Sequence, residues 1–228
     1  MIIVNKKFHY HGRRIGSKLS DRKKTLLKNI LPQLELNEKN TSQFFEKVNN
    51  ENIKVSLEIG FGSGENLLNL ISKNEERFYF IGCEPYLNGM ASFLGNLKEK
   101  DYFKVRVFKN DVRELISICP KEILSEIFIL FPDPWPKSRH EKRRIINYEN
   151  ITLLLSCLKP NGKIYIATDV KNYFDSIKYL FKRLKNVKIL NKSSLSFKPI
   201  NIISTRYEKK ALADKKKPFY IEVKKILD

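Results

Sequence analysis

The sequence predicts an α/β protein: a doubly wound, mostly parallel sheet of Rossmann-like type, with an antiparallel edge at its C-terminal end and a basic arm at its N-terminus. Three observations carry this. Short apolar runs alternate with helical patterns from residue 54 to residue 184, the order that right-handed crossovers turn into a parallel sheet covered on both faces. The first run ends in closely spaced glycines, Gly60, Gly62 and Gly64, as a ligand-binding turn between strand and helix requires. A length of 228 residues allows one sizeable domain and is short for two.

Taken in order, residues 5 to 28 carry nine Lys or Arg against one acid, Asp21, with Phe8, His9, Tyr10 and His11 interleaved. They form the arm. Ser20 caps a short helix through Leu26, Leu27, Ile30 and Leu31, which Pro32 is expected to end. A polar stretch follows, so the chain divides into an arm with its helix, 1–50, and an α/β domain, 51–228. Strands are expected over Lys54–Ile59, Phe78–Cys83, Lys104–Phe108, Ser125–Phe131 and Lys163–Thr168. The intervening helices include one with Ile151, Leu154, Leu155 and Leu158, and another with Phe174, Ile177, Leu180, Phe181 and Leu184 at helical spacing. Two shorter strands, Val187–Leu190 and Pro218–Val223, would add the antiparallel edge.

Forty-four Lys plus Arg against 25 Asp plus Glu give a formal charge of +19, which points to a polyanionic partner, nucleic acid first. With 42% hydrophobic residues the chain is too apolar for a disordered basic tail. No apolar run reaches membrane-spanning length and the start is not a secretory signal, so a cytoplasmic protein is expected. Cys83, Cys119 and Cys157 are few and widely spaced, and read as core residues in a reducing compartment. Only three histidines exist, two of them in the arm, so no metal site is expected.

The glycine turn reads Glu58-Ile59-Gly60-Phe61-Gly62-Ser63-Gly64-Glu65, and Glu84 closes the second strand 20 residues after Gly64. A carboxylate there suits ribose hydroxyls. The dinucleotide fingerprint G-x-G-x-x-G is not met, because Glu65 follows Gly64 and would repel a pyrophosphate at the helix N-terminus. Glu58, Glu65, Glu84, Asp111 and Asp133 all fall at or just past strand carboxyl ends. Such an acidic group in a cationic chain fits a nucleoside with a positive tail, S-adenosylmethionine. Each acid alone could equally cap the helix that follows it.

After the fourth strand comes Phe131-Pro132-Asp133-Pro134-Trp135-Pro136-Lys137. Prolines at alternate positions exclude helix interior and central strand, leaving a stiff loop at the ligand end of the sheet. It holds Asp133 and the single tryptophan in place, which suits positioning a planar base beside a methyl donor. Five Lys or Arg follow between Lys137 and Arg144 and read as phosphate contacts.

The proline loop with Arg139, His140, Arg143 and Arg144 resembles the signature of the bacterial tRNA (guanine-N7)-methyltransferases. Leu57 to Gly64 is similar to their cofactor turn, and Thr205-Arg206-Tyr207-Glu208-Lys209-Lys210-Ala211 to their substrate motif. The resemblance covers nearly the whole chain. It implies a class I methyltransferase, monomeric or homodimeric, that moves a methyl group from S-adenosylmethionine to N7 of guanosine 46 in the variable loop of tRNA. It also implies that Glu58, Glu84, Asp111 and Asp133 contact the cofactor, with Asp111 or its neighbour Asn110 making the third contact. Lys137, Asp169, Thr205, Arg206, Tyr207 and Glu208 would contact the substrate, with Asp133 as the catalytic residue. On spacing alone, Asp169 reads as a helix cap and Thr205 with Glu208 as a capping box. Two other functions compete: an exocyclic-amine methyltransferase, whose Asn/Asp-Pro-Pro-aromatic loop is not matched by Asp133-Pro134-Trp135, and an RNA-binding module with a vestigial pocket.

Overall fold

A computed structural model of the protein describes residues 12, 14–74, 78–190, 198–200 and 202–226. The first part of the expected arm, including Lys6, Phe8 to His11 and Arg13, lies outside them. The described residues form one sheet of seven strands, β1 Lys54–Ile59, β2 Phe78–Cys83, β3 Val105–Phe108, β4 Leu124–Leu130, β5 Leu158–Thr168, β6 Val187–Ile189 and β7 Phe219–Lys225, in the order β3-β2-β1-β4-β5-β7-β6. The first five run parallel, and β7 is antiparallel to both β5 and β6. Strand order reverses at β1, which lies between β2 and β4, so a crevice opens where the connections leave β1 in one direction and β4 in the other.

Side-chain alternation along the strands divides the interior into two cores. Leu57, Ile59, Ile127, Ile129, Ile164 and Ile166 face one, and Phe80, Phe128, Leu130, Tyr165 and Ala167 face the other. Helices α6 Val112–Ile118, α7 Tyr148–Cys157 and α8 Lys171–Lys182 cover the first face, whereas α4 Glu65–Lys73 and α5 Leu87–Asn96 cover the second. Helix α9, Arg206–Ala213, precedes β7. Phe174, Ile177 and Phe181 of α8 are buried as their spacing predicts. Cys83 and Cys157 are buried and Cys119 is partly so, and all three are free. No helix among the described residues is long and apolar enough to cross a membrane.

The N-terminal part departs from expectation. Ser20 does cap α1, Asp21–Asn29, but Pro32 does not simply end that helix: it occupies the first turn of a short second helix, α2 Leu31–Leu34, where a missing N–H costs nothing. The polar stretch before residue 50 contains a further helix, α3 Thr41–Asn50, that buries Phe44, Phe45 and Val48 in the first core. Its three apolar side chains are diluted by Asn, Gln, Glu and Lys, so composition hides the stripe. Leu36 N–H donates to Val107 O at 2.8 Å, tying the connection to the sheet edge. Leu158, expected on the apolar face of α7, instead opens β5.

Because α3 lies inside the core, Phe45→Ala should destabilise the protein by about 3–5 kcal/mol. Denaturant unfolding measures this; a loss below about 1 kcal/mol would mean that α3 packs on the domain without belonging to it.

Candidate active site

Three glycines shape the turn after β1. Gly60, Gly62 and Gly64 have φ of 71°, 60° and 84°, conformations that side chains disfavour. Space is restricted as well: a Cβ on Gly64 would lie 2.4 Å from Phe93, and one on Gly89 of α5 would lie 2.4 Å from Gly62 O. Glu84 at the end of β2 fixes this turn. Its Oε2 accepts the Gly62 N–H at 2.6 Å, and its Oε1 accepts the Tyr86 N–H at 2.9 Å. Burial raises the Glu84 carboxyl above its ordinary range, while both amides and nearby Arg206 oppose that shift.

Beside the turn lies a cavity of about 450 Å³ at the carboxyl ends of β1, β2 and β4. Glu84, Asp111 and Asp133 line it together with Gly60, Tyr86 and Trp135. The structure thus brings three of the four expected cofactor acids together. Glu58 is not on the wall. It is buried, its Oε2 accepts from Asn66 Nδ2 at 3.0 Å, and burial pushes its carboxyl up to about 8, so it is mainly neutral at pH 7. Asn66 Oδ1 in turn accepts the Ile203 N–H at 3.3 Å. Asp111 caps α6 through the Arg113 N–H and also holds the Arg113 guanidinium, at 2.7 to 2.9 Å. Nor is the cavity the uniformly negative notch that the acids suggest: Arg113, Arg143 and Arg206 line it too. Tertiary folding brings these arginines in from three separate segments.

Asp133 differs from the other three acids. Among the described residues it has no hydrogen-bond or ion-pair partner, and the surrounding walls desolvate its carboxyl and raise it above its ordinary range. The loop that carries it is strained. Phe131 and Trp135 have φ of 51° and 41°, at a cost on the order of 1–3 kcal/mol each. Arg144 offsets this from behind: its Nε donates to Pro134 O at 2.7 Å and its Nη2 to Trp135 O at 3.2 Å, while its guanidinium lies 5.0 Å from the Tyr173 ring centre. Arg143 lies 5.0 Å from the Trp135 ring centre and His140 meets the same ring edge-on. Two cations of the expected phosphate run are therefore turned inward, because the loop's carbonyls and its tryptophan need partners. The run forms a 3₁₀ turn, Ser138–Arg143, and α7 starts later, capped by Asn147.

The expected substrate residues also divide. Arg206 and Tyr207 line the cavity, and their side chains approach within 3.3 to 3.7 Å of where a Gly62 Cβ would be. Thr205 and Glu208 face inward. Thr205 caps α9 by accepting the Glu208 N–H at 3.3 Å, but Glu208 does not reach back; it pairs with Lys198 at 2.9 Å. Asp169 caps nothing and pairs with Lys216 at 3.3 Å. Neither Asp169 nor Lys137 is at the cavity wall. Sequence reasoning missed Tyr86, Arg113 and Asn66. For Tyr86 a signal existed, its place two residues after Glu84, but nothing local marks Asn66 as a link to a segment more than a hundred residues away.

Comparison with known proteins bears on this geometry. The family model Methyltransf_4, described as "Putative methyltransferase", matches residues 52–221. A tRNA (guanine-N(7)-)-methyltransferase of Bartonella henselae is 36% identical over 222 residues, covering 93% of each chain. The chain belongs to the tRNA (guanine-N7)-methyltransferase family. Another family member, from Wolbachia pipientis, is 37% identical over 187 residues, covering 81% of this chain and 80% of its own. A bifunctional methyltransferase of Rickettsia conorii is 37% identical over 217 residues, 95% of this chain; the chain spans only 40% of that relative's length. Among solved structures, the 16S rRNA methyltransferase KamB superposes with a TM-score of 0.56 at 11% identity, covering 80% of this chain and 93% of that one. At that identity the likeness shows the fold of class I methyltransferases.

The state of Glu58 gives a test. Its carboxyl keeps its proton to about pH 8 in the folded protein, against an ordinary value near 4.5. Folding therefore takes up a proton between these values, and stability falls as pH rises through that window. Glu58→Gln removes the effect. Relative to the native protein, the variant should gain on the order of a few kcal/mol between pH 5 and pH 9. Thermal melts at the two pH values measure it, and parallel behaviour of the two proteins would show that Glu58 is ionised in the fold.

Proposed function

We propose that the protein transfers the methyl group of S-adenosylmethionine to N7 of a guanosine in tRNA, at position 46 of the variable loop. The observation that carries this reading is the uncommitted carboxylate of Asp133, held on a rigid strained loop across one cavity from Glu84. Membership of a family whose relatives are named for this reaction supports it.

The residues present fit the cofactor. Each Glu84 oxygen accepts one backbone amide and keeps a lone pair for a ribose hydroxyl. Gly60 leaves open space where a side chain would stand, so a ligand can lie against the backbone. When bound, S-adenosylmethionine supplies an electrophilic methyl on a sulfonium. Guanine N7 has an in-plane lone pair and no proton to lose, so the chain needs no general base. Transfer would form the N7–CH₃ bond as the S–CH₃ bond breaks, leaving positive charge on the purine. Asp133 accepts from the guanine edge, orients N7 and stabilises the developing cation. Its raised proton affinity reflects partial desolvation by the cavity walls, while the side chain itself stays exposed and open to a ligand. Trp135, held by Arg143 and His140, offers a flat wall for the base.

The basic segment 1–50 and the exposed cations Lys137, Arg139 and Lys142 supply phosphate contacts for the folded RNA in this reading. Domain 51–228, with α3 packed into it, carries the chemistry. The monomer and the homodimer both accommodate a cavity built from a single chain.

Incubation with unmodified tRNA and labelled methyl donor should yield 7-methylguanosine at one site, mapped by nucleoside analysis. An exocyclic methylated base in its place would favour the amine-methylating alternative, and unchanged tRNA the non-catalytic one. Asp133→Ala should lower kcat by about 100-fold while leaving cofactor affinity within about threefold. A variant that lost only affinity would deny Asp133 its catalytic role.

A further inference from the structure

A second cavity, of about 440 Å³, lies between the start of α7 and the outer face of α8. Its walls are mainly apolar or aromatic: Ile146, Tyr148, Tyr179 and Leu180. The two tyrosines are each 64% exposed, and Arg183 lies 5.5 Å from the Tyr179 ring centre. Exposed rings beside a guanidinium do little for the core. The one acid in the lining, Glu141, is paired with Arg144 at 3.1 Å. Between Ser176 and Leu190 the chain carries Lys178, Lys182, Arg183, Lys185 and Lys188 with no Asp or Glu. A lysine-rich border is what protein interfaces lack, whereas stacking rings beside a cationic track are what single-stranded nucleic acid uses.

Arg144 forms a wall shared by the two functions of this region. It lines the second cavity and also donates to Pro134 O and Trp135 O of the Asp133 loop. The second cavity is therefore one side chain behind the catalytic loop.

We propose that this groove is a second base-binding subsite, in which an unpaired base of the substrate RNA, other than the target guanine, stacks on Tyr148 and Tyr179 while the cations of α8 follow its phosphates. The proposal rests on the RNA methyltransferase reading above. A base seated there engages the same arginine that braces the catalytic loop, so RNA docking and loop geometry share one side chain.

The test is tRNA binding and methylation by the full chain. Tyr148→Ala and Tyr179→Ala should each weaken tRNA binding by about tenfold, with kcat at saturating tRNA and cofactor affinity unchanged. Stacking adds no released counterions, so the salt dependence of log K should keep its slope, whereas Lys182→Ala should reduce it by about one. Tyr148→Phe and Tyr179→Phe should keep native affinity, and with both rings mostly exposed, melting temperatures of all variants should match the native protein. Native affinity in the Tyr148→Ala/Tyr179→Ala double variant would overturn the subsite, and a simultaneous change in oligomeric state would assign the groove to a second copy of the chain. Lost affinity in the phenylalanine variants would overturn stacking. If the native protein itself bound no tRNA, the function and the subsite would fall together; native binding with an unaffected double variant removes the subsite alone.

Discussion

The two backbone hydrogen bonds accepted by Glu84 hold the ligand end of the molecule together. One oxygen takes the amide of Gly62, in the turn after β1, and the other takes that of Tyr86, just before α5. Both turns must bend sharply away from the sheet, and neither can satisfy its amides within a helix or strand. A single buried carboxylate does this for both, and charge-assisted bonds of this kind are stronger than neutral ones. Because a Cβ on Gly89 of α5 would lie only 2.4 Å from Gly62 O, the glycine turn, the Glu84 carboxylate and the first turn of α5 pack as one unit.

Around that unit the acids share the work unequally. Asp111 is spent on a cap and an arginine, and Glu58 is buried and mainly neutral, linked through Asn66 to the segment before α9. Asp133 alone of the four lines the cavity with no hydrogen-bond or ion-pair partner among the described residues. Its freedom is maintained by cost elsewhere: two bulky residues in left-handed conformations, braced by Arg144 and by the stacking of Arg143 on Trp135. A loop held this way gives up conformational entropy before substrate arrives, which is how preorganised sites reach their rates.

Charge in this protein works at two scales. Across the molecule the excess of cations suits a folded RNA. Inside the cavity, arginines face carboxylates, so the local field is mixed and direction-dependent. Arg206 illustrates the difference, since it belongs by sequence to a basic stretch yet lines the cavity beside Tyr207 and lowers the proton affinity of Glu84.

The strands, their parallel order and the antiparallel edge were legible in the sequence because short apolar runs between helical patterns and glycine turns are local signals. Strands β1 and β2 fall on the expected bounds for the same reason. The glycine turn, Glu84 and the proline loop were legible too, since glycine alone turns freely into left-handed conformations, proline locks φ, and the acid falls at a strand end fixed by its local pattern. Helix α3 was hidden because three buried apolar side chains among polar neighbours leave no compositional trace. The fates of Glu58, Arg144 and Glu208 were decided only by tertiary structure: whether a charged side chain faces a cavity, a partner or a carbonyl depends on which distant segment arrives beside it. Residue type sets what a group can do, and burial and neighbours, which no spacing rule encodes, set what it does.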